Sequence, residues 1–396
     1  MVEVSSPVLN KTVIINRIIS KIKGNNKGPT MVFFGGIHGN ETAGVFALKH
    51  VFNTLNPKDI SGTLYAITGN TEALKQNKRY LNNDLNRLWF EERIDGIKRK
   101  TDLNHEEHEL LELHKLVHQI IETESGPFYF IDFHTTSSKT IPFITINDAL
   151  INRKFSSLFP VPIVLGIEEY LEGPLLSYIN QLGYVSLGFE SGQHDEKDAI
   201  TNSQAFIYLS LVYAKAIKAE SVLGFQMHYK QLQEQSYNIQ DAFEVTYLHR
   251  VRPEDHFKMV EGFKSFEKIN KKMVLANDKE GEITSKYNGR IFMPLYQKIG
   301  EEGFFVIQPI KPFFLNLSEF LRRIKFDSFL VILPGVSWAN KQKQVLLVNL
   351  KIAKFFAKSF FHLLGYRSQK IDATHLRLSN RERASKKDMY KNEDWY

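Results

Sequence analysis

The sequence predicts an α/β fold, a sheet covered by helices on both faces, joined to a smaller β-rich C-terminal region. Three observations predict it. Apolar, strand-like runs alternate with amphipathic helical patterns through the first half of the chain. Near residue 220 the pattern changes to short β-branched and aromatic runs separated by turn clusters. Histidine and glutamate stand at the ends of apolar strands, where open α/β sheets place their sites.

Strands are expected over 31–35, 63–68, 128–133, 142–146, 161–165 and 184–189, each a short run rich in Val, Ile, Phe or Tyr. Helices are expected over 42–54, 105–123, 174–182 and 199–218. Beyond 240, runs such as Phe243-Glu244-Val245-Thr246-Tyr247 and Phe304-Phe305-Val306-Ile307 read as strands, and Asn288-Gly289 reads as a hairpin signal. Residues 313–366 mix both signals, with a helix expected over 343–364. Residues 367–396 read as a poorly ordered basic tail that Trp395 and Tyr396 anchor at its end. The expected organisation is a catalytic domain over 1–220, a β-rich domain shielding the site over 221–312, and a C-terminal extension over 313–396.

Composition narrows the chemistry. The 396 residues are 43% hydrophobic and 24% charged, ordinary for a globular protein. The absence of cysteine removes disulfides and thiolate metal sites, so any metal needs His, Asp or Glu. It also fits a reducing, cytoplasmic setting. No signal peptide is apparent in residues 1–30, and no apolar run reaches the roughly 20 residues of a membrane span. The net charge of +7 lacks any nucleic-acid module around it. Neither nucleic acid nor membrane is expected as a partner, and self-association is left open.

Gly35-Gly36-Ile37-His38-Gly39-Asn40-Glu41 follows the first of these strands. Its glycines allow a sharp turn, and on a turn entering a helix His38 and Glu41 become neighbours. Phe130-Ile131-Asp132-Phe133-His134 is a second apolar strand that ends on histidine. His38, Glu41 and His134 make a His₂Glu set, a ligand triad of catalytic zinc that leaves one position for water. Glu190 ends the run 184–189, where burial would raise its pKa toward that of a general base. Arg79 through Arg87 encloses Asp84 and Asn86. Such a loop reads carboxylates, or turns one Arg toward a developing oxyanion while Asp84 orients an Arg.

Two histidine pairs are set aside. His105 and His108 are three apart rather than four, and His114 and His118 stand on a helix read as solvated. His194 reads as a loop residue or pocket contact rather than a fourth ligand.

Taken in order, His38-Gly39-Asn40-Glu41, Arg79-Tyr80 with Asp84-Leu85-Asn86-Arg87, Asp132-Phe133-His134-Thr135-Thr136-Ser137 and Glu190-Ser191-Gly192 resemble the aspartoacylase/succinylglutamate desuccinylase family of zinc amidohydrolases. The likeness runs over roughly residues 30–310. It implies a zinc carboxypeptidase-like mixed sheet, one Zn²⁺ per chain on His38, Glu41 and His134, and Glu190 as general base. It further implies Arg79 as the residue polarising the scissile carbonyl, and Asn86 and Arg87 as the clamp for an amino acid carboxylate. The family's side-chain-reading Arg is missing from 166–174, which holds Glu168, Glu169 and Glu172 instead. Tyr170 is the expected hydrogen-bond donor to substrate there. The expected activity is hydrolysis of a small N-acyl amino acid or similar amide. A carboxypeptidase-like peptidase and a non-catalytic binding protein on the same scaffold are the alternatives.

Overall fold

Strand Asn26–Gly35 shows how the core is built. Met31 and Phe33 point into one apolar layer, and Val32 and Phe34 point into the other. Alternating side chains that are all apolar require cover on both faces, the signature of an inner parallel strand. Phe128–Thr136 does the same, sending Ile131 and Phe133 to one layer and Phe130 to the other. Helices Ala43–Thr54 and Lys197–Tyr213 cover the first face. His105–Thr123 covers the second with Leu110, Leu113, Val117 and Ile120. Each fully buried Phe contributes about 1.5–3 kcal/mol.

The computed structural model describes all residues except 298–299, 340–344, 350, 353–360, 362 and 371–373. Its main sheet has eleven strands. Their spatial order is Lys268–Ile269, Gly289–Phe292, Glu302–Pro309, Ala242–Arg250, Ile163–Leu165, Phe143–Ile146, Val185–Gln193, Phe128–Thr136, Asn26–Gly35, Ser61–Thr68 and Ile18–Lys23. Strands 185–193, 128–136, 26–35 and 61–68 run parallel to their neighbours within this group, whereas 143–146 is antiparallel to 185–193. The mixed sheet expected from the sequence is therefore present. It runs unbroken across residue 220, because Ala242–Arg250 pairs with Ile163–Leu165.

Several elements differ from the sequence reading. Val2–Ser6 and Lys11–Ile15 form an antiparallel pair, and Ile18–Lys23 lies at the edge of the main sheet. Asn288-Gly289 makes no hairpin. Gly289–Phe292 pairs with Lys268–Ile269 and Glu302–Pro309, and Asn288 accepts the Lys271 N–H. The tight hairpin is one cluster earlier, where the Asp278 side chain accepts the Glu280 and Gly281 N–H groups between Val274–Asp278 and Gly281–Thr284. Within the expected helix 343–364, Val345–Asn349 is a strand and much of the rest lies outside the described residues.

The C-terminal tail is a correction. Tyr366–Lys370 and His375–Asn380 are strands of a four-stranded sheet, and the chain then packs onto the main sheet. Tyr390 is fully buried, accepting the Val185 N–H at 3.0 Å and donating to the Phe128 carbonyl at 2.5 Å. Those two groups begin adjacent parallel strands. Trp395 packs on Tyr129, Phe155 and Tyr390. Positive charge made the segment look solvated, but Arg381 pairs with buried Glu168 and Glu169, so its charge faces inward. Tyr390→Phe should leave the Val185 N–H and Phe128 carbonyl without that hydroxyl and cost about 1–3 kcal/mol, measurable by urea denaturation.

Candidate metal centre

Chain connectivity and strand register together place the site. The strand 26–35 ends on Gly35, and the next residue turns with a positive φ of 75° at Gly36. A tight turn over 38–41 follows, closed by the Glu41 N–H on the His38 carbonyl at 3.1 Å. Gly39 sits against the Ala73 backbone, where any side chain would collide, and its N–H donates to the Arg79 carbonyl at 3.1 Å. Glycine thus docks the His38 turn against the arginine loop. His38 and Glu41 lie just before the helix that begins at Ala43, so the turn brings them together.

The third member arrives by strand pairing. Asn26–Gly35 runs beside Phe128–Thr136, and the latter pairs with Val185–Gln193 so that His134 stands opposite Glu190. His38 Nδ1 is 2.8 Å from Glu41 Oε1, and His134 Nδ1 is 2.9 Å from Glu41 Oε2. The two imidazole centroids are 5.2 Å apart. One donor atom from each of His38, Glu41 and His134 fits within 4.8 Å of the others, and all three residues are buried. The sequence-predicted triad is therefore one cluster.

Carboxylates behind it hold the rings. Asp132, wholly buried, lies 2.7 Å from His134 Nε2, and Asp84 lies 3.0 Å from His38 Nε2. Each imidazole consequently aims Nδ1 at the shared point, the carboxylate–histidine arrangement that orients metal ligands. The sequence showed Asp132 two residues before His134 on one face of a strand, a signal that carried no role in the reading above. Asp84 also accepts from Arg79 at 3.0 Å, and Arg79 Nη1 reaches Glu41 at 3.4 Å.

Electrostatics follow the geometry. Burial pushes the Glu41 carboxyl up, but the two imidazoles outweigh it and hold it well below the usual range. Burial disfavours a charged His134, yet Asp132 and Glu41 raise its pKa well above the usual value. Protons on the two rings balance the buried carboxylates. A divalent cation would supply the same balance, and its binding would displace protons.

Glu190 behaves differently. Burial pushes its pKa to about 7, and its Oε2 has no hydrogen-bond partner among the described residues. It lines the same cavity, of about 130 Å³, as His38, Glu41, His134 and Arg79. Arg87 lines it too, but pairs with Glu302 at 2.9 Å. Asn86 lines the cavity while its side chain accepts the Leu175 N–H. His194 lines it as well, within 2.7 Å of Thr135 Oγ1.

Tyr170 lines the adjoining cavity rather than this one, and its hydroxyl donates to the Val245 carbonyl at 3.4 Å. The short helical turn Ile167–Glu169 places Glu168 in the wall instead. A further residue escaped the sequence reading. Glu106, in the helix thought to present a solvated face, is fully buried and accepts the N–H groups of Leu81, Asn82 and Asn83. It fixes the loop that carries Arg79, Asp84 and Arg87. The nearby capping box of Asn104 and Glu107 explains why acids open this helix.

Residues 27–205 match the model of the succinylglutamate desuccinylase/aspartoacylase catalytic domain. Over that stretch, somewhat under half of its length, the chain is similar to the catalytic domain of that family. A probable aspartoacylase of Acaryochloris marina is 28% identical over 162 residues, 39% of this chain and 52% of that protein. A succinylglutamate desuccinylase of Serratia proteamaculans is 29% identical over 107 residues, 26% of this chain and 31% of that protein. The chain thus spans about half the length, or less, of these curated relatives. In fold it is similar to a succinylglutamate desuccinylase/aspartoacylase of Rhodobacter sphaeroides, with a TM-score of 0.57 at 16% identity over 78% of this chain and 94% of that one. It is also similar to the ectoine utilization protein of Ruegeria pomeroyi, with a TM-score of 0.54 at 16% identity over 73% and 87%. None of the helices among the described residues is long and apolar enough to cross a membrane.

If the cluster is a metal centre, this family domain should take up one Zn²⁺ per chain by elemental analysis. His134→Ala should abolish stoichiometric uptake. Asp132→Asn should keep the ligands but weaken affinity about 10–100-fold.

Proposed function

We propose that this protein is a zinc-dependent amidohydrolase that cleaves a small N-acyl amino acid or similar amide. The carrying observation is the buried His38–Glu41–His134 cluster with Glu190, a carboxyl held near pKa 7, in the same small cavity. The family domain supports the reaction class, and the donor set of two nitrogens and a carboxylate suits Zn²⁺. Absence of cysteine supports a reducing, cytoplasmic location.

Held by His38, Glu41 and His134, zinc would polarise the amide carbonyl and acidify a water at neutral pH. Glu190 takes the proton from the attacking water and passes it to the departing amine. Its burial suits both duties, because a carboxyl near neutrality is neither too weak a base nor too weak an acid. Arg79, braced by Asp84, faces the negative charge that builds on the carbonyl oxygen. Thr135 donates its backbone N–H to Glu41 at 3.0 Å and keeps that carboxylate in place.

Glu190→Gln should retain the metal yet lower kcat by roughly 10²–10⁴-fold on any amide the enzyme turns over. Glu190 must be ionised to accept a proton, so kcat/KM should fall as pH drops through about 7. The same substitution should erase that limb. Full activity in the variant, or an unchanged acid limb, would contradict the assignment.

A further inference from the structure

Cations that line the reaction cavity are already engaged by carboxylates of the chain itself. Among the described lining residues the arginines are Arg79 and Arg87. Arg79 is held by Asp84 and Glu41. Arg87 is held by Glu302, which reaches it from a strand 215 residues away. The segment expected to supply another Arg supplies Glu168, whose Oε2 has no partner among the described residues. Glu168 is itself paired with Arg381 and Glu302 with Arg87, so among the described lining residues no uncommitted arginine awaits a second substrate carboxylate. Such an arrangement disfavours dianionic substrates.

Arg87 and Glu302 also stand at a boundary. Both line the reaction cavity and a second cavity of about 480 Å³ that continues past Tyr80 and Arg93. In their pair, Arg87 uses Nη2 and Glu302 uses Oε1. Arg87 Nη1 donates to the Asn86 carbonyl. Among the described residues, guanidinium donors and one carboxylate oxygen are left to serve a ligand that carries both signs of charge. A zwitterionic amino acid head satisfies that demand, its carboxylate on Arg87 and its ammonium on Glu302.

We propose that the Arg87–Glu302 pair reads the free α-ammonium and α-carboxylate of the leaving amino acid, an inference that rests on the amidohydrolase reading. The substrate class is then a diamino acid acylated on its side-chain nitrogen. An Nα-acyl amino acid lacks the α-ammonium, because its nitrogen is the amide itself. Side-chain acylation moves the α-carbon away from the scissile bond, toward the boundary of the two cavities. Leu171, Leu176 and Phe305 give the same cavity apolar surface that suits a methylene stem. Hydrolysis adds water across the C–N bond, releasing the carboxylic acid and the free diamino acid.

The test compares matched Nω- and Nα-acetyl forms of 2,4-diaminobutyrate, ornithine and lysine, with N-acetylaspartate, on zinc-loaded enzyme. At least one Nω form should exceed its Nα partner in kcat/KM by tenfold or more. Glu302→Gln should collapse that ratio toward one, mainly through KM, and Glu302→Asp should restore part of it. In parallel, calorimetry measures binding of the three free diamino acids to zinc-loaded Glu190→Gln protein, with and without Glu302→Gln. Adding Glu302→Gln should weaken the tightest of them at least tenfold, with an unchanged melting temperature as the folding control. Better turnover of Nα-acetyl or dianionic substrates, or a ratio and binding indifferent to Glu302, overturns the proposal. If no amide is hydrolysed, the amidohydrolase reading fails separately. The binding arm then decides, with Glu302-dependent capture supporting the reader and its absence overturning it.

Discussion

A single carboxylate clasped between two imidazoles organises this molecule. Glu41 is buried, and its two oxygens face His38 Nδ1 and His134 Nδ1. Burying an anion is costly unless charge and hydrogen bonds compensate it. Here the compensation comes from two rings, the Thr135 N–H and the Arg79 guanidinium. These groups originate from separate stretches of chain, so the cluster requires the correct parallel order of strands 26–35, 128–136 and 185–193. A one-residue slip would turn His134 to the opposite face.

Outer carboxylates divide the labour of holding this arrangement. Asp132 fixes the His134 ring and Asp84 fixes both the His38 ring and Arg79. Glu106 fixes the backbone of the loop from which Asp84 and Arg79 project. Glu190 is left with a free oxygen beside the cluster. Three orienting acids thus stand behind the cluster and its loop, one chemically available acid lines the cavity, and their different surroundings separate their roles.

Much of this was legible from residue order. His38 and Glu41 follow the strand 26–35, His134 and Glu190 stand just beyond the apolar runs of theirs, and a continuous apolar run marks where it stops. The helices 43–54, 105–123 and 197–213 were likewise readable from spacing. What escaped was long-range compensation. Nothing local tells that Glu106 is buried to bind a loop, that Glu302 will meet Arg87, or that Tyr170 will turn to Val245. The tail was misread for the same reason. Arg381 looks like solvated charge, but Glu168 and Glu169 are its partners. Pairing of buried charges depends on tertiary neighbours, which composition alone does not supply.

The C-terminal segment is therefore packed into the main body of the protein, through Tyr390 beneath the sheet and Arg381 behind the cavity wall. The central claim is that one divalent cation sits on Glu41 between the two rings. Anomalous diffraction at the zinc edge from crystals grown with Zn²⁺ tests it most directly. The account predicts one peak per chain, about 2.0–2.2 Å from His38 Nδ1, His134 Nδ1 and a Glu41 oxygen. A featureless map at that point, or a peak held elsewhere such as at His114 and His118, would contradict it.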